Sequence, residues 1–170
     1  YEYPMGWQEV EGIHSRTDFD LKAHEEHSGK NLAYRDPHTN EKYIPYVVET
    51  SVGLDRTVLM LLCEAYTEEQ LENETRTVMK FHPAIAPIKV AIFPLVKKDG
   101  MPEMAHKIEA DLQEHFLCSY DEKGAIGRRY RRMDEVGTPF CVTVDGDSVA
   151  DGTVSVRERD SMEQTRLPAV

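Results

Sequence analysis

The residues best suited to chemistry gather in one stretch, YVVETSVGLDRTVLMLLCEAY, from Tyr46 to Tyr66. An apolar, strand-like run ends in Glu49, Ser51 and Gly53. Asp55 and Arg56 follow, and an almost unbroken apolar run continues from Val58 to Cys63. Glu49 and Ser51 sit on alternate strand positions and share a face. A carboxylate and a hydroxyl placed so can hold a small ammonium group. Arg56 falls in the first turn of the expected helix, where free backbone N–H groups and the macrodipole favour an anion. Its planar fork suits phosphate and stacks on a purine. Glu9 and Glu11, also two apart, would add two carboxylates to a strand face. The sum suits a zwitterionic amino acid beside a nucleotide. From residue types alone, an Asp-Arg pair at a helix start reads first as a cap and a surface ion pair, and paired acids on a strand as solvated.

A second cluster is GRRYRRM, with Arg128, Arg129, Arg131 and Arg132 in five positions and Lys123 upstream. Ile126, Tyr130 and Met133 at helical spacing face a core, and the arginines fan over the exposed side. On a helix, Arg128 shares a side with Arg131 and Arg132, whereas Arg129 turns away toward an acid such as Asp134. Such a face suits RNA phosphates and unstacked bases. The sequence equally allows a solvated helix paired with acids. Arg157 and Arg159 alternate with apolar and acidic neighbours on a later strand and would extend the patch. Lys97 and Lys98 follow a strand at the edge where open α/β sheets bind ligands. His24 and His27, in HEEH, have no third ligand in view and read as an exposed helix end, so no metal site is expected.

The elements that position these groups follow from periodicity and turn signals. GWQEVEGIHS alternates, with Trp7, Glu9, Glu11 and Ile13 on one face. RTDFDLKAHEEHSGK reads as a short helix capped at Thr17 or Asp18 and closed by Ser28-Gly29. Asp36-Pro37 and Asn40 mark a turn between two strands. YIPYVVET is a strand, and Gly53 to about Leu71 a long helix. Pro83 and Pro87 flank an expected linker. Beyond it come a strand in IKVAIFPLV, a helix from Pro102 to His115, a strand in FLCSYD, a helix in IGRRYRRMDEVG and a strand in PFCVTVD. GDSVADG is expected as a turn, TVSVRERD as the last strand, and SMEQTRLPAV as the start of a helix. Strands joined by turns and one helix imply an antiparallel sheet in the first half; alternating strands and helices imply a largely parallel one in the second.

Composition limits the possibilities. The chain has 170 residues, 40% hydrophobic and 30% charged, which suits a globular protein rather than a disordered one. No apolar run approaches a membrane span, and no signal-peptide pattern is present. The net charge of −11 argues against a generic polyanion-binding surface, so any nucleic-acid contact needs a local basic patch. Cys63, Cys118 and Cys141 lie far apart inside apolar runs and are expected as buried thiols in a reducing compartment. The opening YEYPMGW, strand-like and without an initiator Met, is the expected beginning of a piece of a longer chain.

ETSVGLDRTVLMLL resembles the third signature motif of class II aminoacyl-tRNA synthetases: a strand, a Gly-x-Asp-Arg junction and an apolar helix. GWQEVEGIHSRTDFDL and KYIPYVVETSVGLDR together resemble the glycyl-specific family. KVAIFPLVKKDG, GAIGRRYRRMDEVGTPFCVTVD and DGTVSVRERDSMEQTRLP resemble its anticodon-binding domain. The resemblance implies an α/β chain in two parts. Residues 1–82 would be the C-terminal part of a class II catalytic domain, a partial antiparallel sheet with the motif-3 helix. Residues 83–170 would be an α/β anticodon-binding domain with a mixed, mainly parallel sheet. It places Glu9, Val10, Gly53, Leu54, Asp55 and Arg56 at ATP, and Glu49, Thr50, Ser51, Val52 and Gly53 around glycine, with Glu11 a weaker candidate. Thr50-Ser51-Val52 stands where the family commonly has Pro-Ser-Ala. Arg128, Arg131, Arg132, Arg157 and Arg159 would meet tRNA.

The implied function is a glycine–tRNA ligase that makes glycyl-adenylate from glycine and ATP, with Mg²⁺, and passes the glycyl group to the 3′ end of tRNA(Gly). No protein nucleophile is needed. The full-length protein would be a cytoplasmic homodimer. The family's first two motifs have no counterpart here, so this chain alone is expected to be inactive. The alternative is a non-catalytic nucleic-acid-binding module descended from such an enzyme.

Overall fold

The computed structural model describes residues 1–72 and 74–169. These form two compact units, Tyr1–Met60 and Leu61–Val170.

In the first unit the alternation expected from Gly6 to Ser15 is broken. β1 (Glu2–Tyr3) and β2 (Gly6–Trp7) make a tight antiparallel pair, with Gly6 at φ 104, a conformation that suits glycine. Residues 8–10 belong to no strand, and β3 (Glu11–Thr17) starts afresh. α1 (Phe19–Ser28) closes on Gly29, whose N–H donates to the Glu25 carbonyl at 2.9 Å. Asp18 stands at its N-cap without capping; its carboxylate holds Lys22 at 2.6 Å instead. β4 (Tyr34–Arg35) and β5 (Lys42–Tyr43) flank the expected turn, where the Asp36 side chain accepts from the His38 and Thr39 N–H groups at 2.7 and 3.0 Å. β6 (Val47–Val52) pairs antiparallel with β3 and leads into α2 (Leu54–Ala65).

α2 ends well before Leu71. Tyr66–Gln70 is a strand, β7, paired antiparallel with β8 (Thr75–Met79). Glu68, Glu69 and Gln70 favour helix intrinsically, but tertiary pairing prevails. Glu69 lies opposite Arg76 and holds it at 2.6 Å, with Lys80 at 2.7 Å on its other oxygen.

The second unit is built on a five-stranded mixed sheet of order β10-β9-β11-β12-β13. Its elements are β9 (Val90–Pro94), α3 (Met101–Gln113), β10 (Cys118–Tyr120), α4 (Ile126–Val136), β11 (Phe140–Val144), α5 (Gly146–Asp151), β12 (Thr153–Glu158) and β13 (Gln164–Pro168). β9 runs parallel to β10 and β11, while β12 is antiparallel to β11 and β13. Half of the strand pairings are therefore antiparallel, fewer parallel than the sequence suggested. Period-2 alternation sends Ile92, Val142, Val144 and Val154 to one face, against Met101, Ala105 and Ile108. Ala91, Phe93 and Cys141 face the other side and pack on Met133.

Two endings differ from expectation. GDSVADG is not merely a turn but the short helix α5, set by a capping box in which Asp145 accepts from the Ser148 N–H at 2.9 Å and Ser148 Oγ accepts from the Asp145 N–H at 3.0 Å. QTRLP is a strand rather than a helix start. The turn before it is held by the Ser161 N–H on Glu158 at 2.6 Å, and Arg166 grips Asp145 at 2.8 and 3.0 Å. All three cysteines are free; Cys141 is buried, and burial pushes its thiol up to about 12.

Candidate functional site

In the first unit the β3–β6 register decides which groups meet. His14 lies opposite Glu49 and Gly12 opposite Ser51, so these four share one face. Ile13 lies opposite Thr50 and Glu11 opposite Val52, on the other face. The carboxylate–hydroxyl pair is therefore present, but Glu11 does not join it. The break after Trp7 likewise ends the single acid-lined face expected from Glu9 and Glu11. Glu49 Oε2 lies 3.4 Å from Arg16 Nε, which also holds Asp20 at 2.8 Å.

Arg56 stands in the first turn of α2 and is tied down by neutral groups. Its Nη1 donates to the Glu9 carbonyl at 2.8 Å, and its own carbonyl accepts from Tyr3 Oη at 2.9 Å. No acid among the described residues lies within ion-pair distance of it, so the surface ion pair with Asp55 is not formed. Gly53 leads directly into α2, and its carbonyl accepts from both the Thr57 N–H and Thr57 Oγ1, at 2.9 and 3.0 Å. A hollow of about 240 Å³ lies beside Arg56, walled by Tyr3, Met5, Gln8 and Leu59. Arg56 thus has spare donors facing an open space at a helix N-terminus.

In the second unit the arginines divide by environment. Arg129 is buried and donates to carbonyls rather than to an acid: Pro94 at 2.6 Å, Gly124 at 2.9 Å and Leu95 at 3.2 Å. It pins α4 to the end of β9. Arg132 grips Asp121 and donates to the Lys123 carbonyl at 2.8 Å. Arg131 is held by Glu74 and, at 3.3 Å, by Asp134. Arg128 is exposed, and its side chain has no ion-pair or hydrogen-bond partner among the described residues.

Arg157 and Arg159, expected to extend an exposed patch, are buried. Their outward reading fails because period 2 on β12 turns Arg157 toward α4, and the Arg159 N–H, just beyond the strand, donates to the Pro139 carbonyl at 2.9 Å beside the Gly137 turn. Arg157 meets Asp134 at 2.9 and 3.1 Å and lies 4.9 Å from the Tyr130 ring centroid. Arg159 holds Asp160 at 2.7 Å and donates to the Gly137 carbonyl at 2.9 Å.

Asp134 is the hub that sequence reasoning missed. It is fully buried and receives Arg157, Arg76 at 2.9 Å and Arg131. Burial alone raises its affinity for a proton, but hydrogen bonds from Arg76 and Arg157 outweigh this and hold its carboxyl below the usual range. Arg76, itself buried, also donates to the Arg159 carbonyl. In the sequence Asp134 looks like one more exposed acid; the one available signal is its place next to Met133, at the edge of the apolar stripe of α4.

Between these groups lies a concavity of about 480 Å³. Tyr130, Gly127 and Arg157 line it with Arg128, Arg131 and Glu74. An aromatic ring, one free arginine and a partly exposed second one suit an unstacked base with its phosphate.

Comparison with known proteins finds similarity along nearly the whole chain. Residues 89–169 match the family described as anticodon binding domain. Glycine–tRNA ligase of Treponema denticola is 58% identical to this chain, over 99% of the chain and 39% of the relative. Those of Bacillus cereus and Caldanaerobacter subterraneus are 56% and 58% identical, each over 36% of the relative. The chain therefore spans less than two fifths of the length of these relatives. Among solved structures, a prolyl-tRNA synthetase of Giardia lamblia in complex with prolyl-adenylate shares the fold, with a TM-score of 0.62 at 19% identity over 94% of this chain and 32% of that one. The α/β fold with its mixed five-stranded sheet is thus similar to that of this synthetase, and residues 89–169 match the anticodon binding domain. The resemblance to the glycyl-tRNA synthetases read from the sequence stands.

Proposed function

We propose that this chain supplies one edge of the adenylate-forming site and the tRNA-binding domain of a longer glycine–tRNA ligase. The supporting observation is the alignment with glycine–tRNA ligases along 99% of the chain, which carries the Glu49–Ser51 face and the Arg56 junction with it. Residues 1–82 are the C-terminal part of the catalytic domain, an antiparallel strand pair with the motif-3 helix, and residues 83–170 the anticodon-binding domain. Glu49 and Ser51 hold the glycine ammonium group, with Thr50, Val52 and Gly53 shaping the turn around it. Glycine's approach to Glu49 displaces the looser of Arg16's two acids. Arg56 and the free N–H groups at the start of α2 hold ATP, with Glu9, Val10, Leu54 and Asp55 around the nucleotide.

The glycine carboxylate attacks the α-phosphorus and pyrophosphate leaves; a terminal ribose hydroxyl of tRNA(Gly) then attacks the glycyl carbonyl, losing its proton as AMP leaves. The chain's own residues orient and neutralise rather than react. ATP is a substrate here, and Mg²⁺ would accompany it. Among the described residues, however, no three His, Cys, Asp or Glu are placed to hold a metal ion, so no step is assigned to one in this chain. Arg128 leads tRNA binding, with Arg131, Arg132 and the floor of the groove behind it. The longer protein is proposed as a cytoplasmic homodimer. No helix among the described residues is long and apolar enough to cross a membrane.

Glycine-dependent ATP–pyrophosphate exchange by the longer protein is the test. Exchange with glycine and not with other amino acids supports the ligase. Tight tRNA binding without exchange points instead to the non-catalytic module.

A further inference from the structure

The groove on α4 has an acid on its wall. Glu74 precedes β8, and its side chain is 53% exposed. Its Oε1 accepts from Arg131 Nε at 2.9 Å and from Arg131 Nη2. The remaining nitrogen, Nη1, faces Asp134 at 3.3 Å and the Met162 sulfur at 4.0 Å. Every nitrogen of the Arg131 guanidinium is therefore engaged by the protein. An anionic strand entering the groove meets a free Arg128, a neutralised Arg131 and a carboxylate that repels it.

The two acids on Arg131 are not equivalent. Asp134 is fully buried and also holds Arg76 and Arg157, so releasing it would strand charges in the interior. Glu74 is half in water and can leave at little cost. We infer that Glu74 is a built-in counter-ion that competes with nucleic-acid phosphate for Arg131 and so sets the affinity of the groove. The inference rests on the reading of this groove as the tRNA-binding site. It adds that the groove is tuned below its full strength by an acid of the same chain, which RNA must displace.

The test is binding of a tRNA(Gly) transcript to the 170-residue chain and to its Glu74→Gln variant across a range of salt. The amide keeps the shape and removes the charge, at an exposed position where folding is unaffected. Binding at low salt should tighten up to about fivefold, the range of one exposed ion pair. The dependence of log affinity on log salt should steepen by about 0.7, one more phosphate engaged. In an Arg131→Gln background the gain should vanish; if that variant does not fold, the salt slope of Glu74→Gln alone decides. Unchanged or weaker binding by Glu74→Gln, beside a parent that binds tRNA, overturns the counter-ion role and leaves the groove reading intact. A parent that binds no tRNA, or whose binding is indifferent to Arg128→Ala, overturns the groove reading and this inference with it.

Discussion

Arg56 and Arg76 show how differently one side chain is used in the two units. Arg56 stands at a helix N-terminus beside an open hollow, anchored through a single nitrogen to a neutral carbonyl. Arg76 is fully buried, with Glu69, Asp134 and the Arg159 carbonyl using its whole fork. The first keeps its charge available to something outside the chain. The second uses its charge to join the β7–β8 hairpin to α4 and β12. Most arginines of the second unit follow Arg76 rather than Arg56. A chain with charge −11 can therefore carry an arginine-rich helix of which little is free to bind anything.

The comparison breaks most sharply at Asp134. Asp134→Ala leaves Arg76 and Arg157 buried without their shared carboxylate. Loss of one partner of a buried ion pair costs about 3–5 kcal/mol. Urea denaturation of the chain should show a loss of that size, confined to the second unit. A loss below about 1 kcal/mol would mean that the three arginines find other partners, and that the hub holds little together.

Arg56→Ala should do the opposite, sparing the fold and harming function. In the longer protein, removal of a charged donor from bound ATP should lower glycine-dependent exchange about a hundredfold, or about 3 kcal/mol. Arg56→Lys should recover little, because lysine lacks the planar fork. Near-normal exchange in both would make Arg56 only a strap between α2 and the Glu9 carbonyl.

These contrasts were unevenly legible in the sequence. Short apolar runs in VAIFP and FCVTV and the alternation of TVSVRE showed β9, β11 and β12, and the 3.6 period of Ile126, Tyr130 and Met133 showed α4. The shared face of Glu49 and Ser51 followed from period 2 alone. Glu11 did not, because the face of a strand depends on where the strand begins, and the break at residues 8–10 resets it. β7, β13 and the burial of Arg157 and Arg159 were hidden for a related reason. Each depends on a pairing between residues rather than on the residues themselves: Arg76 across the hairpin for Glu69, and, farther off in sequence, Asp145 for Arg166 and Asp134 for Arg157. Local propensity carries no information about such pairs.

A smaller effect separates the units by pH. Asp145 is held well below the usual carboxylate range, first by Arg166 and then, against the cost of burial, by the Ser148 N–H. Its folded pKa is depressed, so its contribution is complete above the unfolded value near 3.9 and is lost as pH falls through the folded value. Asp145→Asn keeps the cap but not the ion pair. It should lower stability of the second unit by about 1 kcal/mol at neutral pH and flatten the acid limb of its stability curve. An acid limb as steep as the parent's would shift the origin of acid sensitivity to Asp134 and the other paired acids.

The smallest effect expected, and the one that sharpens the comparison most, belongs to Arg128. It is the member of the α4 cluster that behaves like Arg56: exposed, without a partner among the described residues, beside a concavity. Arg128→Ala should leave thermal stability unchanged, because nothing in the fold leans on the side chain. It should weaken tRNA binding by about two- to fivefold and lower the salt slope by about 0.7, as expected when one phosphate of a single strand is no longer neutralised. Arg132→Ala should weaken binding less. Its guanidinium is already neutralised by Asp121 and bonded to the Lys123 carbonyl, so its loss removes an internal pair along with any grip on phosphate. Arg129→Ala, by contrast, should unfold the start of α4 by leaving the Pro94, Leu95 and Gly124 carbonyls unsatisfied, and so reports on folding rather than binding. If Arg128→Ala and Arg132→Ala change the salt slope equally, freedom from an internal partner is not what selects the RNA-binding arginine. If Arg128→Ala changes nothing, the exposed side of α4 is a solvated face, and the longer protein must hold its tRNA elsewhere.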